Sequence, residues 1–428
     1  MEARLLTTLP GIRDILPEEM PRWHRIEKSA RQIFSRYGFQ EIRTPILEAT
    51  ELFARGIGLD TDIVGKEMYT FTDQSGKSIT LRPEATASVV RAYAEHHMYR
   101  AGGVQKLYYI GPMFRHEKKQ KGRWRQFYQM GAEVLGSDHP AIESEVIELV
   151  LELLDHLGVE TRLWVNSVGC PLCRPAYLER LRRELTRDLS VFCEDCRRRA
   201  LANPLRVFDC KVETCQPHIE RLPKITENLG AECATHFDAF QSYLRDAGIT
   251  YEIVPRLVRG LDYYVRTAFE IVSGRLGAQN ALVGGGRYDG LSEVLGGPPA
   301  SGFGFALGLD RLVMLLPERP DTTRAPQPDL FLAHLGEPAF RRAQEIARRV
   351  RRQGLVCIVP FGGGSLKSQM RQANKLGARN VLIVGDEELL RDRYPVKRMD
   401  SATQTELSVE ELLVVLKNRE GASGPPQP

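Results

Sequence analysis

The sequence predicts an α+β domain on an antiparallel sheet flanked by helices, a helical cysteine-rich insertion within it, and a smaller C-terminal α/β domain. Long strand-like segments follow one another up to residue 318 with few helices between them, which favours an antiparallel sheet. Residues 169–248 interrupt this pattern and carry seven of the eight cysteines. Beyond a proline-rich stretch, strands and helices alternate, which is typical of a parallel sheet with covering helices.

Length and composition exclude several classes of protein. A chain of 428 residues is long enough for two or three ordinary domains. Its 42% hydrophobic and 27% charged residues are typical of a folded globular protein and not of a disordered or collagen-like one. No apolar run approaches the roughly 18 residues of a membrane-spanning helix, and the first residues lack a secretion-signal pattern. We therefore expect a cytoplasmic location and no membrane partner.

The elements of the first domain follow from hydrophobic periodicity. An amphipathic helix at 20–37 ends before Gly38 and is followed by a strand at 40–48. Further strands are predicted at 77–84, 106–117, 125–136, 259–273 and 281–290. A helix is predicted at 304–316. Residues 1–168 and 249–318 are thus expected to form one domain, with 169–248 inserted as helices.

The C-terminal part begins after a predicted linker at 319–329. Strands are expected at 329–335, 355–360 and 380–385, and helices at 340–350, 365–377 and 408–418. The pattern predicts a domain over 330–420 with a parallel sheet, and residues 421–428 read as a tail.

Positive charge is concentrated in two segments. The net charge is only +4, but Arg115–Arg125 has six Lys/Arg against one acid, and Glu337–Arg379 has ten against two. Two basic segments on an otherwise acidic chain indicate a polyanionic partner touched at two places. Solvated surface charge is the alternative explanation for either segment alone.

Two features indicate binding of a phosphate compound. Arg115 ends a predicted strand, where a guanidinium can hold a phosphate through two hydrogen bonds. The glycine-rich segments 284–290 and 302–311 allow close approach of a flat ligand or phosphate to the backbone. The glycine patterns match neither a P-loop nor a dinucleotide fingerprint.

Three motifs in order resemble those of class II aminoacyl-tRNA synthetases: LRPEAT at 81–86, FRHE with GRWRQFYQMGAEVLG at 114–136, and GFGFALGLDRL at 302–312. LPGIRDILP at 9–17 and RGLDYYVRTAFE at 259–270 resemble the histidyl members of that class. Residues 365–385 resemble their anticodon-binding domain. The resemblance covers essentially the whole chain.

The resemblance implies a reaction and its residues. The histidine carboxylate would attack the α-phosphate of ATP, bound with Mg²⁺, and release pyrophosphate. The acyl group of the histidyl-adenylate would then pass to tRNA(His) with release of AMP. Attack on an anionic phosphate needs fixed positive charge, and Arg259 and Arg115 are the implied catalytic residues. The implied ATP-binding residues are Arg115, Arg123, Arg259, Arg311 and Gly308, with Gly286 and Gly304 lining the same pocket.

The implied histidine site uses hydrogen bonds to both ring nitrogens. Glu133 and Tyr264 would face the ring, while Glu84, Thr86 and Gln129 would hold the α-ammonium with Tyr263 nearby. The basic C-terminal segment would contact tRNA(His) phosphates, and the loop around Gln120 would meet the acceptor stem. Lys119 stands where some relatives have proline. A homodimer through residues 37–48 is expected by resemblance.

Two other functions are compatible with parts of the pattern. One is a non-catalytic, synthetase-like regulatory subunit of histidine biosynthesis, although such relatives usually lack the C-terminal domain and the arginines. The other is a class II synthetase of the prolyl or threonyl type, against which RGLDYYVRTAFE counts.

The cysteines of the insertion predict a structural zinc ion. Cys170-x₂-Cys173 and Cys193-x₂-Cys196 are separated by 19 residues, within the range of four-cysteine zinc sites. Cys210 and Cys215 could replace one of these pairs. Buried small side chains are the alternative, and disulfides are disfavoured in a reducing compartment.

Overall fold

The computed structural model describes residues 5–58, 61–117, 122–277, 280–317, 327–362 and 364–417. It divides into two compact units, Met1–Thr322 and Thr323–Pro428. Their boundary falls in the segment predicted as a linker. Most of that linker and the whole predicted tail lie outside the described residues.

The first unit holds an eight-stranded sheet and a three-stranded sheet. Its strands are β1 (Gln40–Glu41), β2 (Leu47–Ala49), β3 (Tyr69–Thr72), β4 (Ser78–Leu81), β5 (Gln105–Phe114), β6 (Gln126–Leu135), β7 (Arg162–Ser167), β8 (Glu252–Ile253), β9 (Val265–Val272), β10 (Ala281–Arg287) and β11 (Gly302–Gly308). Its α-helices are α1 (Met20–Arg36), α2 (Thr50–Ile57), α3 (Thr86–Glu95), α4 (Pro140–His156), α5 (Arg174–Thr186), α6 (Glu194–Ala202), α7 (Gln216–Glu220), α8 (Ala231–Asp246), α9 (Leu291–Val294) and α10 (Leu309–Leu315).

The large sheet has the strand order β1-β5-β6-β11-β10-β9-β7-β8. The predicted antiparallel pairing is confirmed for the six central strands. The edge strands β1 and β8 pair in parallel, so the sheet as a whole is mixed. The small sheet has the order β2-β4-β3.

Helices α1, α4, α8 and α10 supply the core that covers one face of the large sheet. Helix α1 buries Trp23, Ile26, Ala30 and Ile33 at the three- and four-residue spacing of one helical face. Helix α8 adds Phe237, Phe240 and Leu244 to this core, although the sequence analysis placed it in the insertion. The hydrophobic pattern alone does not distinguish a helix that packs on the insertion from one that packs on the sheet.

Three predicted elements of this unit were wrong in part. The strand predicted at 40–48 is two short strands, β1 and β2, which belong to different sheets. The helix predicted at 304–316 is strand β11 followed by helix α10. Phe303, Phe305 and Leu307 are buried at the two-residue spacing of a strand, but the glycines at three of the alternate positions leave no clear alternation in the sequence. The strand predicted at 259–273 extends only over β9, and Arg259 to Tyr264 lies outside the ladder.

The insertion has its own hydrophobic cluster. Tyr177, Leu181 and Leu185 of α5 are buried against residues of α6, α7 and the short turns between them. Cys196, Cys210 and Cys215 are buried in the same cluster. The predicted helical, cysteine-rich character is confirmed.

The second unit is an α/β domain with its own core. Its strands are β12 (Leu330–His334), β13 (Cys357–Ile358), β14 (Asn380–Val384), β15 (Tyr394–Arg398) and β16 (Gln404–Leu407), and its helices are α11 (Glu337–Arg351), α12 (Leu366–Lys375), α13 (Asp386–Arg391) and α14 (Val409–Lys417). The predicted parallel sheet is correct only for β13, β12 and β14, since β15 and β16 pair antiparallel. Strand β15 contains a proline and two cations, and three of the four residues of β16 are polar, so neither shows a clear strand pattern in the sequence.

None of the helices in the described part of the chain combines the length and apolar composition needed to cross a membrane.

Candidate active site

The centre of the large sheet carries a buried carboxyl group beside two glycines. Glu133 of β6 pairs with Gly304 of β11, which in turn pairs with Gly286 of β10. Residues directly opposite on neighbouring strands point to the same face. A Cβ at Gly304 would overlap the Glu133 carboxylate, and one at Gly286 would lie 2.9 Å from the ring of Tyr264. The glycines therefore leave room for functional side chains across the floor of the site.

Glu133 is fully buried among hydroxyl donors. The hydroxyl of Thr86 donates to one carboxyl oxygen at 2.7 Å, and that of Tyr288 donates to the other at 2.7 Å. The Tyr263 ring lies 4.6 Å from Tyr264 and 5.9 Å from Tyr288, centroid to centroid. Burial raises the pKa of Glu133 to about 8. The group is thus mainly a neutral acid at pH 7.

Glu84 has a different set of contacts from those predicted for it. Its two oxygens accept the backbone N–H groups of Thr86 at 2.6 Å and of Ala87 at 3.0 Å. These are unpaired donors at the start of α3, so Glu84 caps this helix. Burial raises its pKa. The structure brings Glu84 and Thr86 to Glu133, and their contact with an α-ammonium group stays a prediction.

A cleft on the same face of the sheet as Glu133 is lined by Arg115, Arg123, Arg259 and Arg311, and we call it the arginine cleft. Gly284, Gly308 and Gln129 line it as well. Four guanidinium groups in one cleft attract a polyanion.

Gln129 lines the arginine cleft and lies on the same strand as Glu133. It lies four residues before Glu133 on β6, so both side chains point to the same face of the sheet. The Oε1 atom of Gln129 and the Nε atom of Arg259 are buried and have no hydrogen-bond partner within the described residues. Buried polar atoms are nearly always paired, so both are available to a ligand.

Each arginine of the cleft is held by its surroundings. Arg259 forms an ion pair with Glu270 of β9, and its guanidinium carbon lies 5.7 Å from the centroid of the Tyr264 ring. A Cβ at Gly284 would overlap its guanidinium group. Arg115 donates from Nε to the carbonyl oxygen of Pro83 at 2.8 Å.

Arg123 and Arg311 lie close enough for their like charges to interact. Arg123 donates to Glu117 at 2.6 Å. Burial, together with the charge of Arg123, lowers the pKa of Arg311. Lys119 and Gln120, predicted to contact the acceptor stem, lie outside the described residues.

Sequence reasoning missed four residues of this site: Tyr288, Glu270, Glu117 and Asp310. Asp310 accepts the backbone N–H of Tyr128 at 2.8 Å and contacts Arg13 at 3.4 Å. Glu270 and Asp310 are acids inside otherwise apolar segments, which is a signal that could have identified them. Glu117 lies among six Lys/Arg residues at 115–125, and nothing in the sequence distinguishes it as a site residue.

The cysteines of the insertion region form two groups instead of the predicted one. The sulfurs of Cys193, Cys196, Cys210 and Cys215 lie within 4.8 Å of one another, and so do those of Cys170, Cys173 and Cys233. We call these the four-thiol and the three-thiol cluster. The predicted set of Cys170, Cys173, Cys193 and Cys196 is therefore divided, and Cys210 and Cys215 take the place of the first pair.

A sequence model described as Histidyl-tRNA synthetase matches residues 11–312, and one described as Anticodon binding domain matches residues 329–419. The chain belongs to the histidyl-tRNA synthetase family. Family members are class II aminoacyl-tRNA synthetases, so the predicted family and class are confirmed.

Relatives support this family over nearly the full length. A histidine–tRNA ligase of Solibacter usitatus is 54% identical over 411 residues, covering 95% of this chain and 98% of the relative. The crystal structure of the apo histidyl-tRNA synthetase of S. aureus has a TM-score of 0.80 at 37% identity, covering 96% of this chain and 100% of the other.

A more distant structure shows the fold alone. It is described as an ATP phosphoribosyltransferase regulatory subunit/histidyl-tRNA synthetase from Bacillus halodurans, with a TM-score of 0.63 at 22% identity over 90% of this chain and 99% of that one. The regulatory-subunit alternative is not favoured, because the more similar relatives are ligases.

Proposed function

We propose that the protein joins L-histidine to tRNA(His) with ATP, through a histidyl-adenylate. The observation that carries this proposal is that the arginine cleft and the buried, hydroxyl-lined carboxyl group of Glu133 share one face of the large sheet, with Gln129 of the cleft and Glu133 four residues apart on β6. The first suits a nucleoside triphosphate, and the second suits a ring that both donates and accepts hydrogen bonds.

The arginines supply the electrostatic part of the reaction. As a histidine carboxylate oxygen bonds to the α-phosphorus, the bond to pyrophosphate breaks and negative charge develops on the phosphoryl oxygens. We assign the stabilisation of that charge to Arg259 and Arg115, and contact with the pyrophosphate portion of the Mg²⁺-bound ATP to Arg311 and Arg123. A terminal hydroxyl of tRNA then attacks the acyl carbon, and AMP leaves.

The neutral state of Glu133 matters for recognition of the amino acid. A carboxylic acid can donate one hydrogen bond and accept others. A neutral imidazole likewise has one donor and one acceptor nitrogen. We infer that Glu133 and Tyr264 contact the two ring nitrogens, and that Gln129 offers its unpaired Oε1 to the α-ammonium group.

Amino-acid-dependent exchange of pyrophosphate into ATP tests this function directly. With the full panel of amino acids, we expect exchange with histidine and exchange at least about 10⁴-fold weaker with amino acids that lack the ring nitrogens. Exchange with proline or threonine would favour another class II enzyme. No exchange with any amino acid, from folded protein, would favour a regulatory subunit.

The second unit is proposed to bind the anticodon region of tRNA(His). Lys367, Arg371 and Lys375 are exposed and follow one another at four-residue spacing on α12, which places them on one face. Phe361, 84% exposed, lies in the loop before this helix. A cationic stripe with an exposed ring is suited to phosphates and unpaired bases. Arg341, Arg342 and Arg349 of α11 form ion pairs with acidic side chains. The surface that offers unpaired positive charge to tRNA is therefore smaller than the predicted basic segment.

A homodimer in the cytoplasm is also proposed. Ile46, Leu47 of β2 and Phe71 of β3 are 42%, 48% and 47% exposed, next to the segment 37–48 expected at the interface. Exposed apolar clusters of this kind are typical of protein interfaces. Sedimentation at twice the mass of one chain is the expected result, and sedimentation as a monomer at micromolar concentration would contradict it.

We further propose that the four-thiol cluster binds a structural zinc ion. Sulfurs bound at about 2.3 Å to one tetrahedral ion lie about 3.8 Å apart, and Cys193 and Cys210 are separated by 3.8 Å. Backbone N–H groups of Cys193 and Val212 point to sulfurs of Cys215 and Cys210 at 3.2 and 3.4 Å, and hydrogen bonds of this kind orient metal ligands. Elemental analysis of protein purified without chelator should find zinc, and Cys193→Ser should lose one equivalent.

A further inference from the structure

We infer that the three-thiol cluster is a second, separate metal site, which takes a thiophilic divalent ion such as Zn²⁺ and leaves one coordination position open. Its sulfurs have the spacing of a tetrahedral site. Cys170 and Cys173 are 3.8 Å apart, and Cys173 and Cys233 are 3.7 Å apart. Two sulfurs bound to a tetrahedral zinc ion lie about 3.8 Å apart. The three residues come from two distant parts of the chain, 60 residues apart between Cys173 and Cys233.

The backbone around Cys173 is shaped for a metal-binding turn. The N–H of Cys170 points to the Cys173 sulfur at 3.3 Å, and the N–H of Arg174 donates to the carbonyl oxygen of Cys170 at 2.9 Å. Gly169 has a φ of +67°, and a Cβ there would lie 3.1 Å from that sulfur. A Cβ at Gly230 would lie equally close to the Cys173 Cβ. Both glycines allow the chain to close around the cysteine.

Arg174 supplies the charge that such a site requires. Three thiolates and a divalent ion carry a net charge of −1, which a neighbouring cation offsets. The guanidinium of Arg174 is fixed beside the cluster by hydrogen bonds to the carbonyl oxygens of Val168 at 2.8 Å, Gly169 at 3.0 Å and Tyr264 at 2.5 Å. It therefore cannot turn away to solvent without losing all three.

The number of ligands separates this site from the four-thiol cluster. No fourth His, Cys, Asp or Glu of the described residues belongs to the three-sulfur group. Cys170 and Cys173 are partly exposed, so water or a small thiol can reach the fourth position. Closed four-ligand sites are structural, whereas three-ligand sites keep an exchangeable position. We therefore expect the ion of the three-thiol cluster to exchange faster.

Zinc content of the full-length protein tests the inference. After purification under argon without chelator and saturation with Zn²⁺, the wild type should hold two ions per chain. Cys233→Ser should hold one, and Cys215→Ser, which breaks the other cluster, should also hold one. Cys357→Ser removes a buried cysteine of the second unit and is the matched control, with two ions expected. Equal zinc content in the wild type and in Cys233→Ser would overturn the second site, whatever the four-thiol cluster binds.

A measurement on the wild type alone tests the same inference and does not depend on whether the variants fold. Transfer of zinc to excess EDTA should follow two phases of about one equivalent each, the faster one from the open site. Absence of the faster phase would overturn the inference. Thiol titration of the denatured, metal-stripped protein should count eight thiols, and a count of six would show a disulfide in place of the metal site. None of these measurements depends on aminoacylation, so they can fail independently of the proposed function.

Discussion

At the scale of single residues, Arg259 is fixed from three sides, by Glu270, by the Tyr264 ring and by the strand at Gly284. We expect Arg259→Ala to lower histidine-dependent pyrophosphate exchange by about 10²- to 10³-fold, because a preorganised cation at the developing phosphoryl charge is lost. Binding of tRNA should change little. Rapid-quench activation within a few-fold of wild type would remove Arg259 from the mechanism.

The pKa of Glu133 gives a second residue-scale prediction. Because burial raises this pKa to about 8, the folded state holds its proton more tightly than the unfolded state. Its contribution to stability is fully present below the ordinary carboxyl pKa and is lost as the pH rises towards 8. Glu133→Gln cannot ionise, so from about pH 5 to about pH 8 the variant should gain about 3 kcal/mol relative to wild type in urea unfolding.

Asp73→Asn is the matched control. Hydrogen bonds from the backbone N–H of Lys77 and from the hydroxyl of Ser75 lower the pKa of Asp73. This contribution to stability is present above the ordinary carboxyl pKa and is lost only in more acidic solution. The stability difference between Asp73→Asn and wild type should therefore stay constant over the same pH range. A constant difference for Glu133→Gln as well would show that Glu133 is already ionised.

At the scale of elements, the glycines of β10 and β11 leave space in which neighbouring side chains lie flat against the face of the sheet. The three atoms nearest to a Cβ at Gly284 all belong to the guanidinium end of the long Arg259 side chain, which can move aside without a shift of the backbone. Gly284→Ala should therefore fold with a free energy of unfolding within about 1 kcal/mol of wild type, yet lose activation by about 10²-fold through displacement of Arg259. Gly274→Ala, with no atom within 4 Å of the new Cβ, is the control and should keep activity. Equal activity in both variants would contradict this.

The start of α5 connects the three-thiol cluster to the histidine pocket, because Arg174 follows Cys173 and binds the carbonyl oxygen of Tyr264. Given the proposed function, we expect Cys233→Ser to raise the KM for histidine several-fold, with a smaller change in kcat. Cys357→Ser should leave both constants as in wild type. A KM unchanged in a Cys233→Ser protein shown to lack the ion would mean that the cluster does not affect Tyr264.

Elements with one strong periodicity could be predicted from sequence, and elements set by their neighbours could not. Helix α1 could be predicted because a single buried face fixes its pattern, and β5 and β6 could be predicted because each is a long, largely apolar run. Strand β11 could not, because three of its alternate positions are glycines, whose role is visible only beside Glu133 and Tyr288. The family motifs indicated Arg115 and Arg259, which line the arginine cleft and whose catalytic role stays a prediction. Glu270 reaches the site by pairing with Gly284, and Tyr288 by a backbone hydrogen bond to Gly302.

At the scale of the whole molecule, the two units have separate cores. Removal of residues after about Pro320 should leave a protein that activates histidine but charges tRNA poorly, because the cationic stripe of α12 is lost. Pyrophosphate exchange and charging at limiting tRNA measure the two activities on the same preparation. Charging as efficient as that of the full chain would show that the second unit does not read the tRNA.

The three-thiol cluster also bears on how freely the insertion can vary. Cys170 and Cys173 stand just after β7, and Cys233 stands at the start of α8, which packs into the main core. An ion bound there would hold the two ends of the intervening chain together, whatever its length. Asn203 and Arg199 of the insertion also contact Asp262 and Asp62, so the insertion is not independent of the rest of the unit. A foreign domain whose termini lie close together could therefore be grafted between the two ends without displacing β7 or α8, but it would have to replace those contacts.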